Sequence, residues 1–220
     1  MAVDGPSGSG KSSASKGVAR ALGLRYLDTG AMYRALTWWL MSQHADITDE
    51  TLVASRAAEP AIEVSTDPDD PWTRVDGRDV SAQIRTREVS AHVSAVAGVP
   101  KVRRHLISLQ RAIIAAAQPG IVAEGRDIGT VVAPDAQLKV FLTAHSQARA
   151  ERRAAEQGTA VDVTEADQDR RDRLDAAQSA KAADAVLLDA TDLTLPEVIN
   201  AITRLARERA PLARAGGKSR

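Results

Sequence analysis

The chain has no cysteine, and among its 220 residues only three Trp, two Tyr and one Phe. Without cysteine there are no disulfides and no thiol nucleophile, which agrees with a reducing, cytoplasmic setting. Four scattered histidines argue against a zinc site. Basic and acidic residues balance at 29 each, so no global field draws the chain to nucleic acid or to a membrane surface. Sparse aromatics add to the case against nucleic acid. No apolar run approaches the ~20 residues of a membrane span, and no N-terminal stretch reads as a signal peptide. Neither nucleic acid nor membrane is an expected partner, and the chain is expected to act as a monomer.

What is present is ample material for a core: 44% of residues are hydrophobic, mostly Ala, Val, Leu and Ile. The length suits one α/β domain carrying an insert. Near the start, Gly5-Pro6-Ser7-Gly8-Ser9-Gly10-Lys11-Ser12 completes a G-x-x-x-x-G-K-S phosphate loop. Its amides can surround phosphate oxygens, Lys11 can reach the β- and γ-phosphates, and the Ser12 hydroxyl can ligate Mg²⁺. The pattern needs a strand before it and a helix after it. Ser13–Leu22 supplies the helix. Only Met1-Ala2-Val3-Asp4 precede Gly5, short for a central strand, which suggests that a few native N-terminal residues are missing.

Further along, Leu24–Leu27 reads as a strand, Asp28-Thr29-Gly30 as a turn, and Ala31–Gln43 as a helix in which Trp38 and Trp39 serve packing. A helix over Asp49–Ala58 follows. Ala61–Val64 and Trp72–Val75 alternate as strands, separated by the turn-forming Asp67–Pro71 and followed by a turn at Asp76-Gly77. Helices are expected over Arg85–Ala97 and Val99–Ala117, then a buried strand, Ile121–Glu124, and a loop, Gly125–Thr130. The strand Gln137–Leu142, the Arg-rich helix Ser146–Gln157, a charged helix over Val163–Ala177, the strand Ala185–Leu188 and the helix Leu195–Arg209 complete the pattern. Residues 211–220 are expected to be a disordered tail. Strands alternating with helices predict a parallel five-stranded sheet covered on both faces, with ligands at the carboxyl ends of its strands. The small antiparallel stretch reads as an insert.

A phosphate loop serves GTPases, motor ATPases and small kinases. The guanine signature Asn-Lys-x-Asp is absent, because the sole asparagine, Asn200, precedes Ala-Ile-Thr. Glu124 could take the place of the strand-end Asp of a motor ATPase, but no ring-forming features accompany it. A kinase for a small acceptor remains. Arg34, Arg103, Arg126 and Arg171 are placed to serve an acceptor that is itself a phosphate, since guanidinium groups bind phosphate oxygens bidentately.

Three blocks, GPSGSGKSSASKGVARALGLRYLDTGAMYRAL, IRTREVS…VSAVAGVPKVRRHLISLQR and GIVAEGRDIGTVVAPDAQLKVFLTA, resemble the bacterial cytidylate kinases. The resemblance runs from residue 2 to about 210, and the YLDTGAMYR and EGRDIGTVV blocks carry most of its specificity. It implies a P-loop kinase fold of the α/β class. A core at 1–58 and 99–210 would carry a nucleoside-monophosphate-binding insert at 59–98 and a short helical lid within 146–178. It also implies transfer of the γ-phosphate of ATP to CMP or dCMP with Mg²⁺.

Carried over by position, Gly5 through Ser13 and Lys11 would hold ATP, helped by Arg149 and Arg153 of the lid. Ser12 would ligate Mg²⁺, and Asp28 would organise the metal's water shell or the acceptor loop. Arg34 and Arg126 would grip the CMP phosphate. Ser94, Arg103 and Asp127 would face the base with Thr29 nearby, and Arg171 and Asp175 would contact the ribose. Lys11, Arg34, Arg126 and Arg171 would carry catalysis by neutralising charge. The acceptor phosphate, with a second pKa near 6, needs no base.

The chain departs from the family after Arg171-Asp172-Arg173-Leu174-Asp175: a Ser-Pro-Leu segment is missing, and Gln178 stands where an Arg is expected. The stretch Gln157–Asp167 also looks short, which implies altered lid closure and a weaker kinase. Kinases of UMP or of a non-nucleotide acceptor, and a nucleotide-binding protein with impaired turnover, stay open at this point.

Overall fold

The computed structural model describes residues 1–157, 170, 172–175 and 179–209, without the side chains of residues 153 and 155–157. Arg171, Gln178 and the tail lie outside the described residues, as does most of the charged stretch after Gln157.

Five strands form the central sheet: β1 (Ala2–Asp4), β2 (Arg25–Asp28), β6 (Ile121–Gly125), β7 (Lys139–Thr143) and β8 (Val186–Asp189). Their order is β2-β6-β1-β7-β8, and every pairing is parallel. The three-residue β1 therefore sits at the centre, paired on both sides. Side chains alternate across it, Ala2 into one core and Val3 into the other. Tyr26 and Leu27 divide in the same way, as do Val122 and Ala123.

Helices α1 (Lys11–Leu22) and α7 (Leu195–Arg209) cover one face through Ala14, Val18, Val198 and Ile202. The other face is covered by α2 (Thr29–Ser42) and α5 (Pro100–Ala116), with α3 (Glu50–Arg56) and α4 (Arg87–Gly98) beside them. Helix α6 (Ser146–Gln157) follows β7. Trp39 is buried in the second core, Trp38 packs against it, and the Arg56 guanidinium lies 4.6 Å over the Trp39 ring. Packing is thus what both tryptophans do.

The antiparallel stretch forms a three-stranded sheet, β3 (Ile62–Val64), β4 (Thr73–Val75) and β5 (Arg78–Asp79). Asp76 and Gly77 both take positive φ, 51° and 76°, which is the backbone a two-residue hairpin turn demands. The segment before β4 is tied to the main sheet. Tyr26 N donates to Thr66 O at 2.9 Å, and Arg20 donates to Pro68 O at 2.8 Å and to Asp69 Oδ1 at 2.6 Å.

Two local readings change. The expected loop at Gly125–Thr130 turns at Ile128 into a π-helical turn, Ile128–Val132. Its β-branched residues are poor helix formers, so its order comes from outside. Asp4 accepts Ile128 N and Gly129 N, both at 2.8 Å. Arg111 donates to the carbonyls of Val131 and Val132 at the other end. A 3-10 turn, Gln83–Arg85, precedes α4, which therefore starts at Arg87 rather than Arg85.

Candidate active site

The carboxyl ends of β1, β2 and β6 converge, and each ends in or beside an acid. Asp28 is in register with Glu124, and Asp4 with Gly125. The phosphate loop leaves β1 here. Gly5 has φ +149° and no room for a side chain, since a Cβ would lie 2.0 Å from Leu142 O of the neighbouring strand. Helix α1 begins at Lys11, two residues before the expected start. Its N-cap, Gly10, offers no side-chain cap, and its first turn holds no acid. Neither a capping side chain nor an acid of its own first turn neutralises this helix start, the arrangement that favours a bound anion. Lys11 Nζ donates to Pro6 O at 2.7 Å.

Glu124 lies behind the loop, 3% exposed. Tyr26 of the adjacent strand donates its hydroxyl to Glu124 Oε1. Burial, and then the nearby Asp28 charge, push the Glu124 carboxyl above its ordinary range, against the pull of Lys11. Asp4 is also raised, by burial first, with the Gly129 and Ile128 amides opposing it. Neither Asp4 nor Tyr26 was expected here. A carboxylate just before Gly5 and a Tyr one position from Asp28's neighbour are the signals the sequence offers for them.

Asp28 is more committed. Its Oδ1 accepts Ala31 N and caps α2, while Oδ2 takes Arg34 at 2.8 Å, with Arg85 at 3.6 Å. Burial raises this carboxyl, but Arg34 and then Arg85 outweigh it and leave the group below the usual carboxylate range. Thr29 Oγ1 donates to Glu124 O at 2.6 Å, which fixes the start of α2 to β6.

Arg126 reaches across the site. It donates to Gly5 O and Asp172 Oδ1, each at 3.5 Å, and pairs with Asp175 Oδ2 at 2.8 Å. Arg149, buried on α6, donates to Ser7 O at 2.9 Å and to Asp172 Oδ2 at 2.5 Å. Arg126, Arg149 and Asp175 are therefore brought to the phosphate loop. On the other side, Arg103 of α5 pairs with Asp127 just after β6. Ser94 stands on α4 with a buried hydroxyl that has no hydrogen-bond partner among the described residues. Arg171 and the Arg153 side chain lie outside what the structure describes.

The residues fit a Mg²⁺ ion in the manner of nucleotide enzymes, which use one or two carboxylates plus phosphate oxygens rather than a protein cage. Ser12 ends the loop motif, and the Glu124 carboxylate stands behind it at the end of β6. Asp28 has both oxygens engaged by the protein, so it is less free to order metal-bound water. Among the described residues no group of three or more His, Asp or Glu forms a metal cage, and no helix is long and apolar enough to cross a membrane.

Comparison with known proteins agrees with this geometry. The family described as cytidylate kinase matches residues 1–208. A cytidylate kinase of Streptomyces avermitilis is 53% identical over 214 residues, covering 95% of this chain and 93% of that protein. One from Nocardia farcinica is 46% identical over 217 residues, covering 94% and 93%. Among solved structures, an uncharacterized protein from Eubacterium ventriosum aligns with a TM-score of 0.51 at 10% identity, covering 94% of this chain and 97% of its own, a likeness of fold alone. With a matching family over nearly its whole length and relatives close to half identical, the chain belongs to the cytidylate kinase family.

Proposed function

We propose that this chain transfers the γ-phosphate of ATP to CMP or dCMP, yielding ADP and CDP or dCDP. The observation that carries the reading is the meeting, at the carboxyl end of the sheet, of a phosphate-loop helix without a side-chain N-cap with Arg126 and the Arg103–Asp127 pair. One end of that arrangement suits a triphosphate, the other a base-bearing monophosphate.

Gly5 through Ser13 cradle the ATP phosphates, and Lys11 turns from Pro6 O to them. Arg149, with Arg153, closes over ATP. Arg34 and Arg126 receive the acceptor phosphate as bidentate forks. Arg103 and Asp127, with Ser94, read the base, and Thr29 holds the adjoining helix start. Arg171 and Asp175 take the ribose. Residues 59–98 act as the acceptor-binding insert and 146–178 as the lid of a core formed by 1–58 and 99–210.

Ser12, with Glu124 behind it, would hold Mg²⁺, and the ion would supply charge neutralisation on the phosphates. Asp28 acts on the acceptor loop through Arg34. The acceptor oxygen is already ionised near neutral pH, so the protein contributes alignment, positive charge and exclusion of water rather than a base. The enzyme works in the cytoplasm as a monomer.

The test is ADP formation from ATP and Mg²⁺ with CMP, dCMP, UMP, AMP or no acceptor. Turnover confined to CMP and dCMP supports the reading. ADP formed equally without acceptor, or fastest with AMP, refutes it.

A further inference from the structure

Gln110 is used by none of the roles above, yet it is 1% exposed. It stands on α5 two turns after Arg103, and so on the same face of that helix. Neither its carboxamide nitrogen nor its oxygen completes a hydrogen bond to the described residues. A buried amide in that condition is costly, and a leucine of similar volume would serve the core better.

The phenol of Tyr33, on α2, faces this carboxamide. Its oxygen is also buried and lacks a well-aligned partner among the described residues. The phenol lies within the fields of both Arg103 and Asp127, and burial pushes it up to about 12, so it remains a neutral donor. Two orphaned buried polar groups, Gln110 and Tyr33, thus sit within the electrostatic reach of the Arg103–Asp127 pair.

We propose that Gln110 is a positioning residue for acceptor specificity, its carboxamide orienting the Tyr33 phenol that backs the Arg103–Asp127 pair where the pair meets the pyrimidine. Cytosine presents an amino donor where uracil presents a carbonyl acceptor. Small displacements of a guanidinium and a carboxylate therefore cost CMP more than UMP. The inference rests on the placement of the base at Arg103 and Asp127.

The experiment compares Gln110→Leu, Tyr33→Phe, the double variant and Arg103→Met in the full chain. It reads kcat and KM for CMP, UMP and ATP, with the Tm of the ligand-free protein. Gln110→Leu is expected to raise the KM for CMP about tenfold and to lower the CMP-over-UMP preference, with kcat within about twofold and the KM for ATP unmoved. Its Tm should hold or rise, because an unpaired amide has left the core. The double variant should be no worse than Gln110→Leu alone, as residues that act through one another are non-additive.

A fall in Tm or failure to fold, an unchanged CMP-over-UMP preference, or additive losses in the double variant would each overturn the proposal. If Arg103→Met leaves the KM for CMP unmoved, the base placement itself is wrong. If Arg103→Met matters and Gln110→Leu does not, only the role of Gln110 falls.

Discussion

Arg34 donates to Asp28 Oδ2 at 2.8 Å while the other oxygen of the same carboxylate caps the helix that carries Arg34. One acid thus starts α2 and aims the guanidinium at its first turn. Asp28→Asn keeps a capping oxygen but loses the ion pair, so the KM for CMP should rise about tenfold, with a smaller loss in stability. The Asp28 carboxyl lies below its ordinary value, so the stability it lends is complete above about pH 3.9 and disappears as pH falls through the lowered value. The Tm gap between the two proteins should therefore be widest near neutrality and close in acid. Thermal melts from pH 7 to pH 3 check this.

Glu124 has the opposite sign. Its carboxyl is raised, chiefly by burial, so the folded state holds a proton that the unfolded chain releases first, and stability falls as pH rises above about 4.3. Glu124→Gln keeps an acceptor for the Tyr26 hydroxyl and removes the buried charge. Its Tm at pH 7 should exceed that of the parent by a few degrees, and turnover should fall at least a hundredfold. Equal melting curves at pH 7 would show that the charge carries no such penalty.

Arg149 spans two acceptors, Ser7 O and Asp172 Oδ2, from a buried position. A lysine is a point charge and cannot hold both in the geometry of a guanidinium fork. Arg149→Lys should raise the KM for ATP about tenfold and leave the KM for CMP within about twofold. Initial-rate kinetics with each substrate varied in turn separate the two.

Gly5 has no room for a methyl, which would meet Leu142 O at 2.0 Å, and its φ of +149° disfavours one independently. Gly5→Ala must part the start of the phosphate loop from β7. A loss of about 3 kcal/mol in urea unfolding is expected, with ATP turnover abolished in whatever folds.

Much of this was legible because the signals are local. The phosphate loop, the strand-end acids and the Asp76-Gly77 turn are short patterns whose backbone needs few residue types meet, and the alternation of Val, Ala and Leu marks both faces of the sheet. The shortness of β1 looked like a weakness, but its position was not readable. Pairing on both sides steadies a strand of three residues, and that depends on partners more than 100 positions away. The π-helical turn was hidden for the same reason. Ile128–Val132 has the composition of a loop or strand, and its order is imposed by Asp4 and Arg111 from outside. Arg103 could be singled out as a phosphate or base ligand, whereas Gln110 looked like one more polar residue on an amphipathic helix until its burial was known.

The central claim is transfer to an acceptor rather than hydrolysis, and label transfer tests it most directly. With ATP labelled at the γ-phosphorus, Mg²⁺ and CMP, a single turnover should place the label in the β-position of CDP and leave inorganic phosphate near background. Label in inorganic phosphate with none in CDP would contradict the account.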